Sequence, residues 1–324
     1  MKKATVAVVG ATGLVGSTIL SALASRSFPV KRLIPLASER SAGSTIDFAG
    51  TPHTVENLAT CTFEGVDIAL FAAGGSVSRQ YAPKAAAAGA LVVDNSSAFR
   101  QQPDIPLVVP EVNADDITTT GIIANPNCST IQCMIPLKVL QRYGLKRIVF
   151  STYQSVSGSG LKGLKDLDEG LQAFYPHPIR GNILPHIDSF LPDGYTGEEM
   201  KMINETRKIL HEPHLPITAT TARVPVRFGH CVSANVELEQ PFDIDTLKQA
   251  FAAQEGLVLA DDPAHNLYPM PLTAAGRDEV FVGRVRRDHS VASGVNLWIV
   301  ADNIRKGAAI NAVQIAERAW ALQQ

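Results

Sequence analysis

The sequence predicts an α/β protein, a doubly wound parallel sheet joined to a second domain of α+β character. Three observations predict it. Thr5-Val6-Ala7-Val8-Val9 is an unbroken apolar, mostly β-branched run, as expected of a parallel strand covered on both faces. It passes directly into Gly10-Ala11-Thr12-Gly13-Leu14-Val15-Gly16. Leu14, Ile19, Leu20 and Leu23 then recur at roughly helical spacing, so strand, glycine turn and helix open a βαβ unit. Beyond Cys128 the texture changes: Val232, Ala234, Val236 and Leu238 alternate, as in an antiparallel sheet with one covered face.

The other elements follow in order. Apolar runs at 33–36, 68–72, 91–93 and 122–124 read as successor strands, and the alanine-rich stretch 82–88 as a helix between two of them. Strands alternating with helices make a Rossmann-like doubly wound sheet. Residues 148–153 and 224–238 read as longer strands, and 198–210 as a helix. Residues 261–270, rich in Pro and Asp, read as loop. Residues 295–301 read as a strand, and 302–323 as one long helix with Ala308, Ala309, Ala312 and Ile315 on its packing face.

Bulk properties narrow the function. A chain of 324 residues suits two domains, and 19% charged with 45% hydrophobic residues is ordinary globular composition. A formal net charge of −2 supplies no basic field to recruit nucleic acid or anionic lipid. No apolar run is long enough for a bilayer span. Met1-Lys2-Lys3 and the apolar stretch up to Ala24-Ser25 look superficially like a secretory signal. Gly10, Thr12, Gly13, Gly16 and Ser17 interrupt that stretch, and the strand–turn–helix reading uses them better. Cys61, Cys128, Cys133 and Cys231 are scattered too widely for a disulfide framework and fit a reducing compartment. No Cys or His pair has metal-ligand spacing, so no metal is expected.

The glycine turn is where a dinucleotide pyrophosphate would sit, because glycines admit close backbone approach and a helix N-terminus presents free N–H groups. The spacing here is G-x-x-G-x-x-G, and a tight turn packing helix on strand would use the same residues. At the expected end of the second strand, Leu36-Ala37-Ser38-Glu39-Arg40-Ser41 offers Ser38, Arg40 and Ser41 to a 2′-phosphate. Glu39 could instead face a ribose diol, but the charge balance favours NADP.

Pro126-Asn127-Cys128-Ser129-Thr130 is the second anchor. Asn127 and Ser129 are good caps, and Ile131, Met134 and Leu137 mark a core-facing helix stripe. Cys128 then lies at a helix N-terminus, where the dipole and free N–H groups favour the nucleophilic thiolate and could hold an oxyanion with the help of Asn127. Pro136 predicts a kink or a 3₁₀ stretch in that helix. A buried structural thiol would explain Cys128 equally well, and explains Cys133 better. His230 lies in a strand-like context and Arg223 nearby in sequence, which offers a base and a two-pronged carboxylate clamp. Taken alone, His230 reads more simply as a structural histidine, as do His177, His211 and His214.

In order along the chain stand the turn motif 10–16, Asp94-Asn95-Ser96-Ser97-Ala98-Phe99-Arg100, Asn125-Pro126-Asn127-Cys128-Ser129-Thr130, Ser151-Thr152-Tyr153-Gln154-Ser155-Val156-Ser157-Gly158, Glu198-Glu199-Met200-Lys201, Arg223-Val224-Pro225-Val226-Arg227-Phe228-Gly229-His230 and Asp302-Asn303-Ile304-Arg305-Lys306-Gly307-Ala308-Ala309. With these motifs the chain resembles aspartate-β-semialdehyde dehydrogenase over essentially its whole length.

The resemblance implies roles. Cys128 would be the nucleophile, His230 the acid/base, Gln154 the group that orients the thiohemiacetal, and Asn127 its neighbour. Arg223 would hold the substrate α-carboxylate and Glu198 its ammonium, with Arg100 and Lys201 on the phosphate. Gly10, Ala11, Thr12, Gly13, Leu14, Val15, Gly16, Ser38, Arg40, Ser41, Ser157, Gly158 and Asn303 would meet NADP. A dinucleotide-binding domain of 1–127, completed by 303–324, would enclose a catalytic and dimerisation domain of 128–302. The implied reaction is reversible reductive dephosphorylation of L-aspartyl 4-phosphate to L-aspartate 4-semialdehyde through a cysteine thioester. It would serve lysine, methionine and threonine synthesis, in a cytoplasmic homodimer or tetramer.

Three other readings compete. N-acetyl-glutamyl-phosphate reductase uses the same chemistry on a longer, acetylated substrate. A silent NADP-binding relative would have no need of a cysteine and histidine in full motif context. A Cys-His hydrolase would leave the N-terminal glycine turn without a task.

Overall fold

The computed structural model describes residues 2–324. They form two compact units: the described residues up to Pro126 with Ala308–Gln324, and Asn127–Gly307.

The first unit contains β1 (Ala4–Val9), α1 (Leu14–Ser25), β2 (Val30–Ala37), β3 (Thr45–Phe48), β4 (Thr51–Thr54), β5 (Glu56–Asn57), β6 (Ile68–Phe71), α2 (Gly75–Ala87), β7 (Leu91–Asp94), α3 (Pro110–Asn113) and β8 (Ile122–Ala124). Six of these strands form a parallel sheet in the order β5-β2-β1-β6-β7-β8, and β3 with β4 make a separate antiparallel hairpin. The apolar run of β1 is explained by its central place: Val6 and Val8 are buried against Ile19 and Leu23 of α1, Ile68 and Leu70 of β6, and Val313, Ile315 and Trp320 near the C-terminus. The chain leaves β1 to β2 on one side and returns to β6 on the other. That makes the carboxyl end of β1 the switch point at which open α/β sheets bind ligands.

The turn at that point needs glycine for stated reasons. Gly10 has φ +83°, and a Cβ there would stand 2.9 Å from the Ala72 carbonyl oxygen. A Cβ on Gly16 would stand 2.1 Å from the Gly10 carbonyl oxygen, so the helix could not approach the strand.

The second unit contains α4 (Cys128–Gln141), β9 (Leu145–Gln154), α5 (Gly160–Glu169), α6 (Gly197–Ile209), β10 (Ile217–Arg223), β11 (His230–Leu238), α7 (Ile244–Ala253), β12 (Leu257–Leu259), α8 (Pro271–Ala274), β13 (Val280–Arg287) and β14 (Gly294–Ala301). Its mixed sheet runs β10-β9-β11-β14-β13-β12. β9 and β10 are parallel, whereas β11 is antiparallel to β9 and to β14. The alternation read at 232–238 holds, since Val232, Ala234, Val236 and Leu238 are all buried. α4 is buried along nearly its whole length, from Ser129 to Leu140.

Several expectations are corrected. Residues 224–238 are not one strand: β10 ends at Arg223, and β11 begins at His230 after a turn. Pro225 in that turn has no N–H, and Gly229 has φ +90°. The helix expected at 82–88 starts earlier, at Gly75, because a glycine-rich first turn carries no apolar period. α4 continues through Pro136 without a 3₁₀ break: burial on all sides offsets the one hydrogen bond that a proline nitrogen cannot give. Residues 302–323 are not one α-helix. The Asp302 carboxylate accepts from the Ile304 and Arg305 N–H groups, Arg305–Ile310 is a π-helical turn, and α9 occupies Asn311–Leu322.

Candidate active site

α6 opens with a capping box: Thr196 Oγ1 accepts from the Glu199 N–H at 3.3 Å, and Glu199 Oε2 accepts from the Thr196 N–H at 2.7 Å. On one face of that helix, Glu198 and Glu205 stand seven residues apart, about two turns. Both reach Asn127. Its side-chain Nδ2 donates to Glu198 Oε1 at 2.9 Å, and its backbone N–H donates to Glu205 Oε2 at 2.6 Å. Asn127 Oδ1 meanwhile caps α4, accepting from the Ser129 N–H at 2.9 Å and the Thr130 N–H at 3.4 Å. Cys128 is therefore the first residue of a helix whose N-terminus is held from three directions.

The sheet supplies the rest. β9 and β10 run parallel and end together, with Arg223 in register with Gln154, and β11 starts at the same end with His230. Cys128 Sγ lies 3.2 Å from His230 Nε2. The fully buried His230 receives the Ser155 N–H on Nδ1 at 3.0 Å, and Gln132 Nε2 donates to its carbonyl at 3.2 Å. Burial, and then the charge of Arg223, hold the imidazole well below its ordinary pKa, so it is neutral at pH 7.

Glu198, 4% exposed, accepts from Asn127 and from Gln154 Nε2 (3.2 Å), and pairs with Lys201 Nζ at 3.0 Å. Burial pushes its carboxyl upward, but Lys201, the Asn127 hydrogen bond and Arg223 outweigh it and hold the group below the usual range. Lys201 also pairs with Asp188 at 2.8 Å; burial lowers its pKa, and the two carboxylates raise it by more. Arg223 Nη1 donates to the Ser155 carbonyl at 2.7 Å, and its buried Nε has no hydrogen-bond partner among the described residues. A buried carboxylate and a guanidinium thus stand close to this pair, Glu198 through its bond to Asn127 and Arg223 through its charge on the imidazole.

Residues 5–120 match the semialdehyde dehydrogenase NAD binding domain, and residues 137–306 match the semialdehyde dehydrogenase dimerisation domain. The aspartate-semialdehyde dehydrogenase of Aquifex aeolicus is 51% identical over 328 residues, covering 96% of each chain. That of Bacillus subtilis is 47% identical over 332 residues, again covering 96% of each. The chain belongs to the aspartate-semialdehyde dehydrogenase family. Among solved structures, Vibrio cholerae aspartate semialdehyde dehydrogenase II complexed with ASA superposes with a TM-score of 0.96, at 45% identity and covering 99% of both chains.

The second unit brings together Cys128, Asn127, Gln154, His230, Glu198, Lys201 and Arg223. Ser157, Gly158 and Asn303 join the same hydrogen-bonded loop cluster. A Cβ on Gly158 would stand 2.9 Å from Arg223 Nη1 and 3.4 Å from His230 Nε2, so a side chain there would displace the Arg223 guanidinium. Asn303 turns its side chain inward: Oδ1 accepts from Ser155 Oγ at 2.9 Å, the Gly229 N–H at 3.0 Å and Ser157 Oγ at 3.2 Å, while Nδ2 donates to Ser157 Oγ at 3.0 Å.

The first unit holds the other expected site residues. Gly10, Ala11, Thr12, Gly13, Leu14, Val15 and Gly16 form the turn into α1, and N-cap Gly13 has no side chain to occupy the N–H groups that follow. Ser38 precedes the short turn Glu39–Ser41 just past β2, its side chain making no capping hydrogen bond, with Arg40 exposed beside it. Arg100 lies by the carboxyl ends of β7 and β8, donating from Nε to the Asn125 carbonyl at 2.9 Å and from Nη2 to the Asn95 carbonyl at 2.7 Å.

The cysteines separate by environment. Cys128 is half-buried, whereas burial drives the thiol of Cys133 far up and that of Cys231 to about 12. Cys61, in the first unit, is also raised by burial. Among the described residues no His, Cys, Asp or Glu group could hold a metal ion, and no helix is long and apolar enough to cross a membrane.

Sequence reasoning missed Glu205, Gln132 and Ser155. Glu205 had one available signal: a carboxylate seven residues after Glu198 on a helix face otherwise built from Met202, Thr206 and Ile209, all buried.

Proposed function

We propose that this chain catalyses the reversible, NADP-dependent reductive dephosphorylation of L-aspartyl 4-phosphate to L-aspartate 4-semialdehyde, through a thioester on Cys128. One observation carries the reading. A half-buried thiol at a helix start lies 3.2 Å from a neutral imidazole, beside a buried carboxylate and a guanidinium.

Cys128 Sγ attacks the acyl carbon, and the C–O bond to phosphate breaks as phosphate leaves. NADPH, when bound, would supply the hydride for reduction of the thioester carbonyl. The resulting tetrahedral species collapses to the aldehyde and returns the electron pair to sulfur. Asn127 and Gln154 amide groups flank the reacting carbon, with Gln154 orienting it. His230 stands at the sulfur as its acid/base partner. Arg223 clamps the α-carboxylate through its fork and Glu198 takes the ammonium. Arg100 and Lys201 serve the phosphate.

The first unit fits the dinucleotide. The forced glycines Gly10 and Gly16 let the turn and α1 pack closely at the end of β1, where the uncapped α1 N-terminus suits a pyrophosphate, and Ser38, Arg40 and Ser41 suit a 2′-phosphate. Ser157, Gly158 and Asn303 are the remaining residues assigned to the cofactor. The protein would work as a cytoplasmic homodimer or tetramer. The test is NADP reduction by aspartate semialdehyde with and without phosphate. Strict phosphate dependence is expected, and a rate independent of phosphate removes the phosphorylating mechanism.

A further inference from the structure

We propose that Asp188 is a positioning residue that sets substrate preference: by drawing Lys201 to a second carboxylate, it leaves Glu198 able to take an ammonium while Lys201 serves a phosphate. The inference rests on the reading that Glu198 binds the substrate ammonium and Lys201 the phosphate, and it resolves a conflict of charge between those two roles.

Glu198 Oε2 and Lys201 Nζ lie 3.0 Å apart on the first turns of α6. A carboxylate and an ammonium that close are together neutral. Such a pair holds a second ammonium weakly, because the resident lysine repels it nearly as much as the carboxylate attracts it. Asp188 changes the sum. Its Oδ2 accepts from the same Nζ at 2.8 Å, so one cation is shared by two carboxylates and the three side chains carry one net negative charge. Burial pushes the Asp188 carboxyl up, but Lys201 outweighs it and holds the group below the usual range, so the charge is present at neutral pH. A lysine ammonium has three N–H groups; with two of them on Glu198 and Asp188, the third is left for phosphate.

The loop before α6 is shaped for this contact. Asp188 has φ +69°, a left-handed conformation that aspartate tolerates better than most residues because its side chain can bond locally. Here Oδ1 accepts from the Ser189 N–H at 2.8 Å, which leaves Oδ2 to Lys201. The chain then folds back on the helix: the Leu191 N–H donates to the Tyr195 carbonyl at 2.7 Å, and the Gly197 N–H to the Ser189 carbonyl at 2.9 Å. Gly197 is the first residue of α6, and a Cβ on it would stand 2.8 Å from Asp188 Oδ2. The carboxylate thus occupies the space that a side chain at the helix start would take. A positive φ, a backbone tie and a bare helix start converge on one result, a carboxylate against Lys201.

The test is Asp188→Asn in the full-length enzyme. Asparagine accepts the same positive φ, and its carbonyl oxygen can still accept from Lys201, so the charge is lost and the geometry kept. Two aldehydes are compared: aspartate semialdehyde, and 4-oxobutanoate, which is the same aldehyde without the amino group. Wild type should prefer the first. Asp188 is exposed, so solvent screens its charge and the effect is severalfold rather than many orders of magnitude. In the variant the ratio of the two kcat/KM values should fall about three- to tenfold, through KM for aspartate semialdehyde, with kcat within about twofold of wild type. The KM for inorganic phosphate should move the other way and fall by a similar factor, because the charge removed had repelled the anion as it attracted the cation. A merely loosened loop does not shift a cation and an anion in opposite directions. An unchanged ratio, equal losses on both aldehydes, or a rise in KM for phosphate as well as semialdehyde overturns the proposal. If wild type itself shows no preference for the amino-bearing aldehyde, the Glu198 reading and this inference fall together. If wild type prefers it and the variant keeps that preference in full, only the role of Asp188 falls.

Discussion

Glu198→Gln tests the substrate assignment most directly. The glutamine can keep Oε1 in place for Asn127 Nδ2 (2.9 Å) and Gln154 Nε2 (3.2 Å). Its amide nitrogen then opposes Lys201 Nζ, where Oε2 accepted at 3.0 Å. Lys201 keeps Asp188 at 2.8 Å and is partly exposed, so the loss in stability should be about 1–3 kcal/mol, a few degrees in Tm. The substrate suffers more selectively. Its ammonium loses a charge-assisted hydrogen bond of about 1.5–3 kcal/mol, which raises KM for aspartate semialdehyde about 10- to 100-fold. An N-acetylated substrate has no ammonium. In the wild type it leaves a buried carboxylate less well compensated, so its efficiency should be poor there and no worse in the variant. Steady-state kinetics on both substrates, in both proteins, gives the four numbers required. If KM for the semialdehyde is unchanged, or both substrates lose efficiency equally, Glu198 does not bind the ammonium. If wild type reduces N-acetyl-glutamyl phosphate as well as aspartyl phosphate, the substrate assignment itself falls.

Three further outcomes are expected. Cys128→Ala should abolish turnover while NADP still binds, and mass spectrometry should find iodoacetamide on Cys128 well before Cys133, whose thiol burial keeps protonated. Arg40→Ala should weaken NADP far more than NAD, and equal losses measured by titration would show that Arg40 does not read the 2′-phosphate. Because the buried His230 stays neutral in the folded state, the unfolded chain binds the extra proton below about pH 6.5. Stability should therefore fall as pH drops through that range, by up to about 1.4 kcal/mol per pH unit. Urea unfolding of His230→Gln should show a flatter dependence there, and an unchanged slope would place the neutral histidine elsewhere.

The first unit was legible because each of its signals is local. The β1 run, the glycine turn and the β-branched successors all follow from being covered on both faces of a parallel sheet, and the structure adds only the close approaches that force Gly10 and Gly16. The second unit was legible where a period was clean, as along β11, and failed where one residue overrode the pattern. Nothing in the apolar texture of 224–229 announces that Gly229 turns with positive φ, yet that turn makes His230 the first residue of its strand. The C-terminal stretch carries a helical period from 308 onward. The wider π turn before it accompanies a contact no pattern records: a Cβ on Gly307 would stand 2.9 Å from Cys128 Cβ. For the site, motif resemblance named residues whose side chains carry a distinctive chemistry of their own. It was silent on Ser155 and Glu205, because a backbone amide and a buried carboxylate bonded to a backbone N–H leave no chemical mark in their own residue types.

Those silent contacts explain why Cys128 is housed among so many buried acidic and basic side chains. Asn127 must present a side chain on one side of Cys128 and cap α4 on the other, so its backbone cannot be left to the flexibility of a loop. Glu205 holds its N–H and Glu198 its amide, and both acids are anchored on α6, which a reciprocal cap fixes against Thr196. Buried carboxylates are a poor source of net stability, because desolvation opposes them. Their use is geometric: charge-assisted hydrogen bonds are short and directional, and they hold a nucleophile more narrowly than apolar packing does. In the proposed mechanism Glu198 is then both scaffold and ligand. Because Asn127, Gln154 and Lys201 already satisfy its oxygens, a substrate ammonium would enter a site formed in advance and would not have to organise one. That arrangement predicts that changes at Glu198 appear in KM and changes at Glu205 in kcat. Glu205→Gln preserves the size of the side chain but loosens the Asn127 amide, and should lower kcat several-fold with KM within about twofold of wild type. A Glu205→Gln enzyme that instead loses substrate affinity while keeping kcat would show that the two carboxylates do not divide the work between scaffold and ligand.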